Sequence, residues 1–191
     1  NLRALNRSDT ASSGQVVTAT SATAMDFQAA VSGKILQVVT VKQDAVVSVS
    51  GDSNWNSFSG TTVAITPTAA GSKIFVTGCI CQAQLNDSSV RIGRTIDGGS
   101  VAACDLVGSQ IGSNRPRATS GGNQFRETSE SMQSSVSGVD TPTYDITEEL
   151  TYMWQGFYTS GTMYTNREAT DSDGTGDCTG VTTLTVMEIA A

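Results

Sequence analysis

Short runs with apolar residues at alternate positions recur along most of this chain, and clusters of Gly, Ser, Asn and Asp separate them. Such alternation is typical of half-buried β-strands, and the separating residues favour tight turns. Residues 150–158 are apolar at most positions, which indicates a strand buried on both faces. The sequence therefore predicts an all-β fold, an antiparallel β-sandwich or jelly-roll-like domain over residues 33–191.

The alternation also gives approximate strand positions. We expect strands at 35–41, 45–49, 62–66, 73–84, 90–95, 100–107, 124–136, 150–160, 162–167 and 181–189. In the last of these, Glu188 is interpreted as a solvent-facing residue rather than as an acid catalyst. Residues 1–32 hold few large apolar side chains, so we interpret them as an extended N-terminal linker or docking arm.

Composition excludes several classes of function. The chain has no histidine, which rules out Ser-His-Asp and Cys-His nucleophiles and histidine-ligated metals. Its 18 acidic residues against 11 basic ones give a net charge of -7, which argues against partners such as nucleic acid or a membrane surface. The 50 Ser and Thr residues and 19 Gly suit strands and turns better than helices.

The four cysteines are predicted to be reduced. Cys79 and Cys81 are two residues apart on one predicted strand, where both point to the same face and are poorly placed to bridge each other. We interpret the cysteines as buried thiols that behave as small hydrophobic residues. A long-range disulfide such as Cys104 with Cys178 is the alternative left open.

A Gly-rich loop places Asp171, Asp173 and Asp177 at the first, third and seventh positions of a segment that could wrap a hard cation. The loop lacks the glutamate and glycine pattern of an EF-hand, so an exposed hairpin between 162–167 and 181–189 is the competing interpretation. We expect no cofactor, and calcium at this loop is the alternative.

Two close pairs of glutamates could in principle hydrolyse a glycosidic bond, which needs two carboxylates and no histidine. They are Glu127 with Glu130 and Glu148 with Glu149. Neighbouring residues on a strand face opposite ways, and the first pair lies in a polar stretch. We therefore expect no enzymatic activity, with a carbohydrate-active enzyme as the remote alternative.

Aromatic and basic residues mark two loops as candidate binding surfaces. Trp55 and Asn56 lie in a polar loop where a ring could stack on a sugar or fill a subunit contact. Arg115, Arg117 and Arg126 form the largest basic cluster of this acidic chain. We predict receptor binding by Trp55, Asn56, Arg115 and Arg117, whereas Trp154 is assigned to the core.

Several phrases of the sequence, taken in order, resemble a C-terminal β-domain family of tail-fibre and virion structural proteins in marine and cyanobacterial tailed phages. The phrases are GKILQVV at 33–39, TVAITPTAAGSKIFV at 62–76, VRIGR at 90–94, SNRPRATSGG at 113–122, TPTY at 141–144, GTMYTNR at 161–167 and LTVMEIA at 184–190. The resemblance implies a virion location and a β fold, and no catalytic residues come with it.

These observations together predict a viral structural protein on the tail or capsid surface of a virion. We expect a homotrimeric tail fibre or spike that contacts other virion proteins and contributes to host attachment through a surface glycan. A capsid decoration protein or head fibre is the alternative with the same fold.

Overall fold

The computed structural model describes residues 35–83, 88–109, 114–120, 130–171, 173–175, 177 and 179–191, and the backbone alone of 15–19, 25–29 and 121–123. Its strands are β1 (Gln15–Ala19), β2 (Met25–Ala29), β3 (Ile35–Gln43), β4 (Val47–Gly51), β5 (Trp55–Ser57), β6 (Val63–Ile65), β7 (Lys73–Ala83), β8 (Ser88–Ile96), β9 (Ala102–Ala103), β10 (Ser120–Asn123), β11 (Met132–Asp140), β12 (Leu150–Tyr158), β13 (Gly161–Thr165) and β14 (Thr182–Ile189). The described residues contain no helix, so none that could span a membrane.

The chain divides into two units, Asn1–Lys34 and Ile35–Ala191. In the first unit β1 and β2 pair antiparallel, with Gln15 opposite Ala29 and Ala19 opposite Met25. No strand is predicted in this segment from the sequence, although Val16, Val17 and Thr18 favour strands. The second unit holds the remaining strands.

The second unit consists of two antiparallel sheets. Sheet I contains β3, β14, β7, β13 and β4 in that order, with β11 on the other edge of β7. Sheet II contains β10, β8, β12 and β5, with β9 beside β8 and β6 beside β12. The predicted all-β, antiparallel sandwich is therefore confirmed.

The core lies between the sheets because alternate side chains of each sheet point inward. The larger contributors are Ile74, Val76, Ile80, Leu184 and Val186 from sheet I, and Val90, Ile92, Leu150, Tyr152 and Trp154 from sheet II. Strand β12 is buried on both faces, as its continuous apolar run predicted. Trp154 is fully buried, which confirms its assignment to the core.

Polar contacts also join the sheets across this core. The indole Nε1 of Trp154 donates to the backbone oxygen of Thr183 at 3.0 Å. The carboxylate of Asp140, which is fully buried at the end of β11, forms a salt bridge with Arg94 and accepts a hydrogen bond of 2.8 Å from the Tyr152 hydroxyl. Burial and the neighbouring Asp140 raise the pKa of Tyr152, so the phenol stays protonated and donates.

Strands β13 and β14 lie end to end along one edge of β7. Thr165 near one end opposes Gln82, and Thr183 at the start of the next strand opposes Cys79. Both strands are antiparallel to β7 and therefore parallel to each other, so they do not form a hairpin. The interpretation of the Asp-rich loop as a hairpin tip is therefore wrong, since the loop is an excursion between two collinear strands.

Glu188 is also placed differently from its prediction. It is fully buried, because it shares the inward face of β14 with Leu184 and Val186. Its carboxylate accepts hydrogen bonds from the backbone N–H groups of Thr68, at 2.9 and 3.0 Å, and Ala69, at 3.1 Å. The interpretation of Glu188 as a solvent-facing residue is therefore wrong.

Candidate ligand-binding groove

The aromatic residues Trp55 and Phe157 lie side by side on the outer face of sheet II. They are opposite each other in the pairing of β5 with β12, and their ring centroids are 5.3 Å apart at an interplanar angle of 46°. Both side chains remain partly exposed. The sequence placed Trp55 in a loop, but a three-residue strand fixes its direction.

A third strand contributes a cation to this aromatic pair. The guanidinium carbon of Arg91, on β8, lies 4.2 Å from the centroid of the Trp55 ring, within the range of a cation–π interaction. Its Nε donates to Oε1 of Gln155 at 2.8 Å, and Nε2 of Gln155 donates to Oγ of Ser57 at 3.2 Å. Burial lowers the pKa of Arg91, but the group remains a cation at neutral pH. These contacts fix the indole ring and the guanidinium as one surface.

This surface opens into a groove of about 570 Å³. The groove is lined by Ser53, Trp55, Asn114, Arg115, Pro116, Phe157 and Thr159. Its floor is therefore aromatic and its rim carries hydroxyl, amide and guanidinium groups. That combination suits a ligand with one apolar face and several hydroxyl or acidic substituents.

The structure brings together two of the four predicted receptor-binding residues. Trp55 and Arg115 line the same groove, and Arg115 is exposed. Arg117 is exposed on the neighbouring backbone, where its Nε donates to the oxygen of Gly108 at 2.9 Å. The third member of the predicted basic cluster, Arg126, lies outside the described residues.

Asn56 does not line this groove. It follows Trp55 on β5, so its side chain points to the opposite side of the strand. Its Nδ2 donates to the oxygen of Ser50 at 3.1 Å and to Oδ1 of Asp52 at 2.9 Å. The hydrogen bond from Asn56 to Asp52 lowers the pKa of Asp52, and a hydrogen bond from the backbone N–H of Asn54 adds a smaller effect in the same direction. Asn56 therefore braces the loop that precedes the groove.

The sequence did not identify Arg91, Gln155 or Phe157 as part of this surface. Arg91 and Phe157 alternate with buried neighbours on their strands, which marks them as outward-facing. Their contact with Trp55 depends on the pairing of β5, β12 and β8, which no local pattern reveals.

The Asp-rich loop encloses a small hollow of about 120 Å³ lined in part by the three predicted calcium ligands. The carboxylate of Asp171 accepts a hydrogen bond from the backbone of Asp173 at 3.1 Å and lies 3.4 Å from Arg167. Asp177 accepts one from the backbone of Gly174 at 2.8 Å. Within the described ranges, no group of three or more Cys, Asp or Glu side chains is arranged to hold a metal ion. The carboxylates of Asp171 and Asp177 therefore accept hydrogen bonds within the loop, and calcium binding there stays a prediction.

The described glutamates form local contacts as well. Glu148 accepts a hydrogen bond from the backbone of Asp145 at 2.7 Å, which closes a turn. Glu149 accepts one from the Thr151 hydroxyl at 3.2 Å. Glu127 lies outside the described residues, whereas Glu130 is described and exposed.

Cys79, Cys81 and Cys104 are free thiols, and Cys178 lies outside the described residues. Cys104 is buried in the core cluster between the sheets, and burial raises its pKa to about 11. The thiol is therefore protonated at neutral pH. Burial also raises the pKa of Cys81.

No protein-family model and no curated protein matches the chain. Among solved structures it is similar to the infectious bursal disease virus VP2 subviral particle, with a TM-score of 0.40 and 13% identity over 91% of this chain and 42% of that one. The Gx and Gt strain structures of the same virus give TM-scores of 0.37 and 0.34, at 11% and 14% identity and the same coverage. The chain thus spans about two fifths of their length. Such values describe a distant likeness and identify no relative of the chain.

Proposed function

We propose that this chain is a non-enzymatic structural protein of a virion, and that its groove binds a glycan on the host surface. The virion assignment is supported by the resemblance of its ordered sequence phrases to phage tail-fibre and virion domains. The binding role is supported by the Trp55 ring, which Phe157 and Arg91 hold half-exposed at the floor of the groove. That held ring is the observation on which the binding role depends.

The groove favours a glycan over an apolar protein segment. An indole ring offers a flat apolar face on which the C–H groups of a sugar ring can pack. Arg115, Asn114 and Thr159 surround that face with groups that hydrogen-bond hydroxyls and carboxylates. Because Arg91 and Arg115 are cations in an acidic chain, the expected ligand is an anionic glycan.

The groove is suited to binding rather than to catalysis. The chain has no histidine, and among the described residues no carboxylate lines the groove. The described lining therefore lacks the pair of acids that glycoside hydrolysis needs. A capsid decoration protein or head fibre would use the same fold and groove, and location in the particle distinguishes it from a tail fibre or spike.

Paired variants in the phage particle test the proposal. Trp55→Ala removes the floor of the groove, and Arg115→Ser with Arg117→Ser removes the cations beside it. We expect both to assemble into particles that adsorb poorly to host cells. Val46→Ala is the matched control, because it truncates an apolar side chain that is 47% exposed and does not line the groove.

Each other result contradicts part of the proposal. Failure of Trp55→Ala to enter the particle would make the groove an assembly contact. Unchanged adsorption in both variants would remove the receptor role. Antibody labelling of intact particles tests the location, and absence of the protein from purified particles would contradict the virion assignment.

A further inference from the structure

The outer face of sheet I presents an apolar row that crosses four strands. The strand register places Val38, Met187, Phe75 and Val139 next to one another in that order. All four are outward-facing, since their neighbours along each strand point into the core. Val38 and Val139, at the ends of the row, are 53% and 39% exposed. Four neighbouring strands make this row about 15 Å long.

Rows of small hydroxyl residues lie beside it. Thr40, Thr185, Thr77 and Ser137 occupy the next outward positions. The hydroxyls of Thr40 and Thr185 are 2.9 Å apart and hydrogen-bond each other, which satisfies polar groups within the sheet. Short side chains at these positions leave the face flat enough for a second flat surface to approach.

In the described residues, the rows of this face hold no carboxylate. The row beyond the hydroxyls consists of Lys42, Thr183, Cys79 and Ser135, and on the other side of the apolar row Ile189 pairs with Lys73. The two lysines are the only charged residues in these rows, and Lys42 is paired at 3.0 Å with the carboxylate of Asp44, directly after the end of β3. The chain as a whole has a net charge of -7. Two copies of such an acidic chain repel each other least where carboxylates are missing.

The outer face of sheet II is different, because the chain itself covers part of it. Met153 and Gln155 point outward from β12 and are only 7% and 2% exposed. A Cβ added at Gly93 of the neighbouring strand would lie 2.8 Å from a methyl group of Val101, which shows how closely the following loop packs there. Among the described residues of the second unit, Ile35–Ala191, no segment covers the apolar row of sheet I in this way, and Val38 and Val139 remain exposed.

We propose that the outer face of sheet I binds a second copy of this chain, with the apolar row at the centre of the contact. The rows extend over about 15 Å by 20 Å, or roughly 300 Å² of projected area per copy. Two such faces would cover roughly 600 Å² of projected area, which is the size of a weak contact, so we expect association in the micromolar range. A second copy fits better than an acidic or basic partner, because the centre is uncharged and removing it from water is favourable.

Two charge-introducing variants of the full chain test this contact. Val38→Glu and Val139→Glu each place a carboxylate at an exposed end of the row, where folding does not require the valine. Ile146→Glu is the matched control, because this isoleucine is 52% exposed but lies in a turn and is not part of the rows of sheet I. Sedimentation over about 1 to 100 μM measures association, and thermal melting verifies that each variant folds.

We expect the unmodified chain and Ile146→Glu to associate equally. Each valine variant should weaken association at least tenfold with an unchanged melting temperature. A wild-type chain that stays monomeric over the whole range would overturn the proposal, as would association that persists in a Val38→Glu, Val139→Glu double variant. If a valine variant no longer associates but still binds glycan, the self-association surface and the glycan-binding groove are independent of each other.

Discussion

The hydroxyl of Thr182 donates a hydrogen bond of 2.8 Å to Oδ1 of Asn166, and this contact joins the two ends of the Asp-rich excursion. The amide nitrogen Nδ2 of Asn166 donates to the backbone oxygens of Gln43 and Ala45, at 2.9 Å each. Asn166 also adopts a left-handed backbone with φ of 64°. One buried side chain therefore returns the chain from the end of β13 to the start of β14 and ties both to the β3–β4 connection.

Replacing Asn166 should destabilise the fold strongly. We expect Asn166→Ala to lower the free energy of unfolding by about 3 kcal/mol, because it loses three buried hydrogen bonds and strains the backbone. Asn166→Gly is the control, since glycine accepts the positive φ and should recover about 1 kcal/mol of that loss. Urea unfolding measures both, and equal stability of the two variants would contradict the role of the backbone conformation.

Glu188 should make stability depend on pH in the acidic range. Burial raises its pKa, but the hydrogen bonds from Thr68 and Gln37 outweigh burial and leave the pKa below the usual value of 4.5. The unfolded chain therefore binds this proton more readily, so the contribution of Glu188 is complete above about pH 4.5 and decreases as the pH falls through the lower folded-state pKa.

The matched variant is Glu188→Gln, whose amide places an N–H group against other donors. We expect a loss of about 2 kcal/mol at pH 7 and a smaller difference from the wild type below about pH 4. Denaturant unfolding across this pH range measures the difference. If the difference in unfolding free energy between Glu188→Gln and the wild type stays constant down to pH 2, Glu188 is not the source of the pH dependence of stability.

Asp140 should be the most sensitive polar residue of the core. Asp140→Ala leaves Arg94 partly buried without its carboxylate, and we expect a loss of about 3 to 5 kcal/mol. Tyr152→Phe removes only one hydrogen bond to the same carboxylate and should cost about 1 kcal/mol. If the two variants prove equally stable, the salt bridge does not hold the sheets together.

Reducing agent should leave the melting temperature unchanged, since Cys79, Cys81 and Cys104 are free thiols. A native disulfide would contribute about 2 to 5 kcal/mol in a domain of this kind. Thermal melting with and without dithiothreitol tests this, and thiol titration in denaturant should find four free groups, in line with the four cysteines. A clear drop in melting temperature on reduction would instead support a disulfide involving Cys178.

Local patterns predicted most of the long strands, because alternation depends only on neighbouring residues. The same rule could have placed Glu188 inside, since it has the parity of Leu184 and Val186 on β14. The short strand at Trp55 carries too few residues for a pattern and forms through its pairing with β12.

The predicted strand at 124–136 is shifted, since β11 occupies Met132–Asp140 and residues 124–129 lie outside the described ranges. The predicted strand at 100–107 is reduced to Ala102–Ala103, because Asp105 and Leu106 contact the end of β11 and do not continue the pairing with β8.

The candidate site was only partly predictable for a related reason. Exposed Trp and Arg in polar segments indicated a binding surface, and Trp55 and Arg115 do line one groove. The contact of Arg91 with Trp55 depends on three strands that are distant in sequence. Sequence reasoning could find the exposed members of the site but not the residues that hold them.

Direct binding of the purified full chain to an array of neutral and acidic glycans tests the groove most directly. We expect binding to acidic glycans that weakens with added salt and decreases at least tenfold in Trp55→Ala, while Val46→Ala binds like the wild type. Equal binding by Trp55→Ala and the wild type, or no binding to any glycan, would contradict the proposed glycan site.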